Sequence, residues 1–223
     1  MFDIHTHILP GVDDGSRDLE TSKLIIEDEI SNGVSNIVLT PHQNRLIKTK
    51  DSLFLKFSNF KADVKDYPIN FYLGSEIYYY EGLIEDLKND LVLTMNDSKY
   101  VLIEFSTRVD TPISDIVYDL VVSGYKPIIA HIERYSYLKK EDYFNIKKEG
   151  ALIQVNSGSF KERKRFKIIK YLLNNNLVDF IASDCHDVKE RKCDFSFSKK
   201  YILKHHNDLY KKFFEDIPPF IKD

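Results

Sequence analysis

Seven short apolar segments alternate with longer amphipathic segments along this chain, and this alternation constrains the fold more than any other feature. Apolar strands that alternate with helices are typical of a parallel sheet covered by helices. The segment 18–32, for example, places Leu19, Ile25, Ile26 and Ile30 on one side and ends at Gly33, as a helix would. The predicted strands cover residues 2–4, 36–40, 69–74, 100–103, 127–130, 151–155 and 179–183.

The order of these units predicts an α/β protein with a single domain over residues 1–223. No repeat, low-complexity segment or linker interrupts the order, and a chain of 223 residues with 43% hydrophobic residues can form one large core. Two arrangements suit the pattern. A closed parallel barrel would gather the carboxyl ends of the strands around one point, whereas a doubly wound open sheet would spread them along a crevice.

Polar residues with metal-ligating side chains follow nearly every predicted strand. Five of the seven histidines lie at these turns, while His205 and His206 lie in a charged helical segment where exposure to solvent explains them. Because the carboxyl ends of parallel strands meet at one edge, we expect these side chains to lie close together. The candidate metal ligands are His5, His7, Asp14, His42, Glu76, Glu104, His131, Asp184 and His186.

Two of the strand ends carry ligand candidates two residues apart. Side chains alternate between the two faces of a strand, so His5 and His7 should point the same way, and so should Asp184 and His186. The same rule points Cys185 away from the site. It is therefore expected to pack behind the site. The two cysteines are not expected to supply the nucleophile of a thiol-dependent phosphatase, on the interpretation that the chain has no Cys-x5-Arg phosphate-binding loop.

The donor set predicts several divalent metal ions. About four ligands complete one zinc site, and nine nitrogen and oxygen groups exceed that need. A set of imidazoles and carboxylates suits manganese or iron, with zinc also possible. A cluster of such ions lowers the pKa of a bridging water toward neutrality and neutralises charge on a phosphoryl group, so hydrolysis is the expected chemistry.

Charge, cysteine content and hydropathy exclude several other classes. A formal net charge of −3 gives no reason to expect binding to nucleic acid or to an anionic membrane surface. No apolar run approaches the roughly 20 residues that span a bilayer, and no secretory signal is recognisable. Two cysteines are too few for a disulfide framework, so we expect a reduced, cytoplasmic protein.

The motifs HTHILPGVDDG, TPH, GSEIYY, LIEFS, AHIERY, QVNSGS and ASDCH resemble the PHP (polymerase and histidinol phosphatase) superfamily. Within it, GSEIYY and AHIERY resemble the manganese-dependent protein-tyrosine phosphatases of bacterial capsule and exopolysaccharide loci. The resemblance covers about residues 1–190. It implies a distorted seven-stranded (β/α) barrel, three Mn²⁺ ions held by the nine residues above, and dephosphorylation of the tyrosine-rich tail of a bacterial tyrosine kinase.

The resemblance also implies two phosphate-binding arginines, Arg134 within AHIERY and Arg191 after ASDCH. A guanidinium group matches the geometry of phosphate oxygens and suits this task. The segment after ASDCH reads DVKERKCDF, whereas the family usually has Arg-Pro-Pro after a small loop. The segment that follows His42 also departs from the usual family wording, and no role is assigned to Arg45.

Three other functions fit parts of the sequence. A histidinol phosphatase or another small phosphomonoesterase would use the same centre, but its alkoxide leaving group is harder to expel than tyrosinate, whose pKa is about 10. A non-catalytic PHP module that only binds metal would be expected to have lost ligands, and none appears lost here. A nuclease would be expected to have a basic surface with interspersed aromatic residues, and this sequence has no segment of that kind. The sequence does not indicate an oligomeric state.

Overall fold

The computed structural model describes residues 1–43 and 48–221, so Arg45 lies outside the described residues. Helices and strands alternate along the chain, as the apolar pattern predicts. The strands are β1 (Phe2–Thr6), β2 (Asn36–Leu39), β3 (Asn70–Leu73), β4 (Glu76–Tyr78), β5 (Tyr100–Glu104), β6 (Lys126–Ile129), β7 (Leu152–Asn156) and β8 (Phe180–Ala182). The helices are α1 (Leu19–Ser31), α2 (Lys50–Asp63), α3 (Leu83–Lys88), α4 (Ile113–Val122), α5 (Lys140–Lys148), α6 (Arg163–Asn174), α7 (Ser196–His205) and α8 (Tyr210–Phe214). Short 3₁₀ segments cover Met95–Asp97, Ile132–Arg134, Gly158–Lys161 and Asn207–Leu209.

The strands form two parallel sheets, which confirms the α/β class but corrects the predicted count of seven strands. β1, β2 and β3 form one sheet, and β4 to β8 form the other in chain order. The eighth strand is β4, which begins just after the predicted third strand (69–74) and was not predicted. Leu73 pairs with Leu39 of β2, whereas Glu76 pairs with Leu102 of β5. A Cβ atom at Gly74 would lie 2.9 Å from the sulfur of Met95, so close packing at this break requires glycine.

Backbone hydrogen bonds join the two sheets beside both edge strands of the five-stranded sheet, β8 through β1 and β4 through the segment that follows β2. Beside β1, the His7 N–H donates to the Cys185 carbonyl and the Asp184 N–H donates to the His5 carbonyl, each at 2.9 Å. Beside β4, the Gln43 N–H donates to the Glu76 carbonyl at 3.2 Å. The carboxyl ends of strands from both sheets therefore face the same region.

An inner core lies between the two sheets, and a larger core lies between the sheets and the helices. The inner core takes single residues from most strands, including Ile4, Val38, Leu102, Ile128 and Ala182. Phe220, near the end of the described chain, is fully buried against the inner core. Burial on both faces explains why these strands read as nearly continuous apolar runs in the sequence.

A β-bulge interrupts β1 between Asp3 and Thr6. Asp3 pairs with Ile37 and Thr6 pairs with Leu39, so three steps along β1 match two along β2. The Asp3 carboxylate accepts hydrogen bonds from the His5 N–H at 3.2 Å and from the Ser183 N–H at 3.1 Å. As a result, Ile4 packs into the inner core while Asp3 lies on the other side of the strand, near α1.

Among the described residues, no helix has both the length and the apolar character that a membrane span requires. The longest are α1 and α2, with 13 and 14 residues. Helix α1 starts where the sequence predicts, because the Asp18 side chain accepts a hydrogen bond from the Thr21 N–H at 2.8 Å.

Candidate metal centre

All nine predicted ligands lie together at the carboxyl ends of the strands. Ligand atoms of eight of them form three overlapping groups, and within each group the atoms lie within 4.8 Å of one another. The ninth, His131, places Nε2 at 2.9 Å from Glu76 Oε1. The groups are His7, Asp14, His42 and His186; His5, His7, Glu76 and Asp184; and His42, Glu76 and Glu104.

Glu76 is at the centre of this cluster. Its Oε2 atom lies 3.2 Å from His5 Nε2, from His7 Nε2 and from His42 Nδ1. Its side chain is buried, and burial alone would raise the pKa of this carboxyl. The neighbouring His5 and the hydrogen bond with His131 outweigh that effect and hold the pKa of Glu76 well below its usual range.

The histidines have the arrangement of ligands rather than of an ordinary hydrogen-bonded network. The Nε2 atoms of His5 and His7 face each other at 3.2 Å. His186 Nε2 is buried without a hydrogen-bond partner among the described residues. Burial lowers the pKa of His186 to about 3, so its imidazole is neutral and keeps a free lone pair. Convergent imidazole and carboxylate groups without a thiol fit divalent cations such as Mn²⁺, Fe²⁺ or Zn²⁺.

Two of the cluster residues have backbone conformations that side-chain-bearing residues rarely adopt. His131 has φ 31° and Asp184 has φ 55°. Each lies two residues after the end of a buried strand, β6 and β8 respectively. The left-handed conformation turns the chain sharply while the side chain stays at the cluster. Strain of this kind concentrates at functional sites, where the surrounding structure maintains it.

Asp13 supports the cluster through hydrogen bonds, but only its neighbour Asp14 was predicted as a site residue. Asp13 Oδ2 lies 2.7 Å from His7 Nδ1 and accepts a hydrogen bond from the His42 N–H at 2.8 Å. Burial would raise the pKa of Asp13, but the hydrogen bond with His7 lowers it well below its usual range. A carboxylate on Nδ1 leaves Nε2 of His7 free to bind metal, a common arrangement around metal-bound histidines. The adjacent Asp13-Asp14 pair was the only signal in the sequence.

Gln154 and Asn156 connect three of the cluster residues, and neither was predicted as a site residue. Gln154 Oε1 accepts a hydrogen bond from the His131 N–H at 2.7 Å and lies 3.2 Å from His5 Nδ1. Gln154 Nε2 donates to Asn156 Oδ1, and Asn156 Nδ2 donates to Asp184 Oδ2, each at 2.8 Å. Both residues lie on β7, two positions apart and therefore on one face, a spacing that the sequence contained.

Replacing Asp13 by asparagine is expected to weaken metal binding without unfolding the protein. The amide keeps the volume but removes the charge that orients His7, and such supporting carboxylates typically contribute 10- to 100-fold in metal affinity or activity. We expect the Mn²⁺ concentration that half-restores activity to rise by about that factor. Asp66→Asn, at an exposed position, is the control. Equal metal requirements in the two variants would contradict the role of Asp13.

Replacing Gly15 by alanine is expected to destabilise the loop that holds Asp13 and Asp14. A Cβ atom at Gly15 would lie 2.1 Å from the His7 carbonyl oxygen, so the backbone of one segment must move. Forced repacking of this kind costs about 1–3 kcal/mol of unfolding free energy. Gly158→Ala is the control because its Cβ would meet nothing within 4 Å. Similar denaturation midpoints for the two variants would contradict this expectation.

The two predicted phosphate-binding arginines flank Asp184. Arg134 Nη1 lies 3.5 Å from Asp184 Oδ2, and Arg191 Nη2 lies 3.4 Å from Asp184 Oδ1. Arg191 also donates through Nη1 to Asp14 Oδ2 at 3.1 Å. Both line an open cleft of about 360 Å³ that Arg165 borders as well. Guanidinium groups thus stand beside the cluster and reach solvent.

Cys185 and Arg191 are separated by five residues, which is the Cys-x5-Arg spacing of thiol-dependent phosphatases. The spacing alone therefore does not exclude that mechanism, but the position of the thiol does. Cys185 is fully buried, and its Sγ donates to Glu29 Oε1 at 3.1 Å, away from the cluster. Burial, reinforced by Glu29, raises the pKa of Cys185 well above its usual range, whereas a nucleophile must be an exposed thiolate.

Comparison with known proteins gives a consistent result over nearly the whole chain. The family described as capsular polysaccharide synthesis, CpsB/CapC, matches residues 1–218. The tyrosine-protein phosphatase CpsB of Streptococcus agalactiae is 36% identical over 219 residues, covering 92% of this chain and 90% of that protein. The tyrosine-protein phosphatase YwqE of Bacillus subtilis is 34% identical over 203 residues, covering 86% of this chain and 79% of that protein.

Solved structures agree in fold. The present structure matches, with a TM-score of 0.85, a chain from the crystal structures of YwqE from Bacillus subtilis and CpsB from Streptococcus pneumoniae. Those two proteins are described as metal-dependent tyrosine phosphatases. That match is 30% identical and covers 92% of this chain and 87% of the other. A histidinol phosphate phosphatase from Lactococcus lactis matches with a TM-score of 0.59 at 16% identity, a likeness of fold alone.

Proposed function

This chain belongs to the CpsB/CapC family, and we propose that it is a metal-dependent phosphatase that hydrolyses phosphotyrosine in proteins. One observation carries the proposal. Eight imidazole and carboxylate side chains converge in three overlapping groups, His131 joins them through Glu76, and two arginines lie beside them at an open cleft. The names and activities of the relatives support the same function.

We propose that the nine residues hold three divalent ions and that Mn²⁺ is the preferred one. The three overlapping groups support the number, and the absence of thiols among these nine ligands supports a hard or borderline metal. His7, His42 and Glu76 each belong to two groups, and all three would help to hold the ions. When bound, the ions would supply electrostatic stabilisation of the phosphoryl group and would lower the pKa of water to near neutrality.

The chain's own residues would bind and orient the phosphate. Arg134 and Arg191 approach Asp184 from the cleft, so a phosphoryl group at the cluster would lie within reach of both guanidinium groups. Their paired N–H donors match phosphate oxygens and would offset the charge that develops during transfer. Gln154, Asn156 and Asp13 would keep the ligands in place through the hydrogen bonds described above.

The proposed physiological substrate is the phosphorylated tyrosine-rich tail of a bacterial tyrosine kinase that controls capsule or exopolysaccharide synthesis. The family's description as capsular polysaccharide synthesis proteins supports this setting. The cleft beside the cluster is open to solvent and polar, as binding of an extended peptide requires. Phosphotyrosine is long enough to bring its phosphate to a buried cluster while the peptide backbone stays outside.

We also propose that the two sheets together form the distorted barrel of the PHP type. Backbone hydrogen bonds to both edge strands of the five-stranded sheet support this interpretation, as does the inner core to which strands of both sheets contribute. A closed arrangement would explain why ligands from strands as distant as β1 and β5 reach one point.

A substrate panel tests the proposed function. We expect the Mn²⁺-loaded protein to hydrolyse phosphotyrosine peptides at least tenfold faster, in kcat/KM, than phosphoserine peptides or histidinol phosphate. Tyrosinate is the better leaving group, and tenfold corresponds to about 1.4 kcal/mol of barrier. A higher kcat/KM for histidinol phosphate would replace the proposal with the small-molecule alternative. Metal binding without any hydrolysis would instead indicate a non-catalytic module.

A further inference from the structure

A second group of ligand-type side chains lies on the other side of β1 from the nine-residue cluster. Asp3 of β1 and Glu29 of α1 face each other there, together with Cys185 and Cys193 from the chain that follows β8. All four side chains are buried, with no more than 1% of any residue exposed. We refer to these four residues as the Asp3/Glu29 cluster.

The geometry of the Asp3/Glu29 cluster is that of a compact donor set. One ligand atom each from Asp3, Glu29 and Cys193 lies within 4.8 Å of the others. Cys185 Sγ, a fourth donor, lies 3.1 Å from Glu29 Oε1. The Asp3 carboxylate is held in position by the N–H groups of His5 and Ser183.

The cluster also contains a polar atom that the surrounding protein leaves unsatisfied. Glu29 Oε2 is buried and has no hydrogen-bond partner among the described residues. A buried polar atom without a hydrogen bond is costly, and a cation among these donors would supply the partner that Glu29 Oε2 lacks.

We propose that the Asp3/Glu29 cluster is a separate binding site for a thiophilic divalent cation, with Zn²⁺ the expected ion. Zinc accepts cysteine sulfur together with carboxylate oxygen and prefers four ligands in a closed structural site. Burial and the neighbouring Asp3 raise the pKa of Glu29 well above its usual range, so its carboxyl is protonated without a cation. On binding, the Cys193 and Cys185 thiols and the Glu29 carboxyl release their protons to solvent and bind as anions, and no oxidation or reduction takes place. The ion offsets part of the charge of these ligands and gives Glu29 Oε2 a partner.

Such an ion would have a structural role distinct from hydrolysis. It would tie β1, α1 and the segment 185–193 to one another, and this segment carries His186 and Arg191 to the nine-residue cluster. None of the four residues belongs to the nine-residue cluster, so this cation site is independent of the proposed phosphatase activity.

Cobalt substitution distinguishes this site from the nine-residue cluster, because Co²⁺ bound to thiolate absorbs in the near ultraviolet by charge transfer. The nine-residue cluster contains only nitrogen and oxygen ligands, so that absorption reports the Asp3/Glu29 cluster alone. We would produce the full-length protein in cobalt-supplemented medium, so that the metal is present during folding, and record its spectrum. Zinc per chain would be measured in protein produced with zinc.

We expect wild-type protein to show the thiolate band, Cys193→Ser to lose it together with one zinc ion per chain, and Asp184→Ala to keep it. Asp184→Ala is the matched control because it removes a ligand from the nine-residue cluster only. Cobalt-loaded wild-type protein without a thiolate band would overturn the proposal even if Cys193→Ser failed to fold. Loss of the band in Asp184→Ala would equally overturn the separation of the two sites.

Discussion

Replacing Glu76 by glutamine is expected to reduce kcat/KM for a phosphotyrosine peptide by about a thousandfold, or about 4 kcal/mol of transition-state stabilisation. Glu76 is buried and lies within 3.2 Å of ring nitrogens of four histidines, so most of the predicted histidine ligands contact this one carboxylate. Glutamine preserves the volume but removes the negative charge that holds neighbouring cations together. We therefore expect metal content per chain to fall along with the rate.

Glu133→Gln is the matched control for this experiment, because Glu133 is also a buried glutamate. Burial raises the pKa of Glu133 to about 7, so much of its population is already uncharged near neutral pH. Its Oε1 accepts a hydrogen bond from the Asn156 N–H at 3.1 Å, which an amide oxygen can also accept. If Glu76→Gln kept full activity and metal content, the nine residues could not be the ligand set we propose.

Replacing Arg134 by alanine is expected to lower kcat/KM by about a hundredfold, or about 2.7 kcal/mol, without loss of metal or fold. The side chain follows His131 by three residues and reaches Asp184 from the cleft side, with 27% of its surface exposed. Removing it would take away donors that strengthen their contacts as charge develops on the phosphoryl group. Steady-state kinetics together with elemental analysis would check both parts of this expectation.

Arg134→Lys distinguishes a charge effect from a geometric one. Lysine keeps the charge but lacks the planar pair of donors, so it should recover only part of the lost activity. Arg165→Ala is the control, since Arg165 borders the same cleft but pairs with Glu162 at 2.6 Å on the surface. It should change kcat/KM by less than about threefold, as expected for an exposed ion pair. Near-normal kinetics in Arg134→Ala would remove this residue from the site, and metal loss would assign it a purely structural role.

These two residues separate binding of the metals from binding of the phosphate. Loss of the Glu76 carboxylate should affect metal content and rate together, whereas loss of the Arg134 guanidinium should affect the rate alone. That difference follows from position, because Glu76 contacts four histidines whereas Arg134 approaches the cluster from the cleft beside Asp184. Arg191 contacts both Asp14 and Asp184, so its removal is expected to combine the two effects.

The sequence by itself determined the α/β class, the order of the elements and the set of residues that meets at the site. Strands buried on both faces must be apolar, so they are visible as runs, and parallel strands bring their carboxyl ends to one edge. The position of a histidine or carboxylate at the end of such a run, at that edge of the sheet, can therefore be predicted from the sequence. This is why His5, Glu104 and Asp184 could be identified before their neighbours in space were known.

Only the tertiary structure decided which groups support the ligands and where the chain departs from regular strands. Asp13 rather than Asp14 contacts His7 Nδ1, and Gln154 reaches a histidine 149 residues away in the chain. The break between β3 and β4 at Gly74 packs closely against Met95, and Asp3 at the bulge in β1 accepts a hydrogen bond from the Ser183 N–H. Likewise, the burial of Cys185 against Glu29, and not the Cys-x5-Arg spacing, shows that this thiol is not a nucleophile. All of these features have the same physical cause. Each depends on a contact between segments far apart in sequence, and a local pattern of apolar and polar residues indicates which side chains are buried but not which residues they contact.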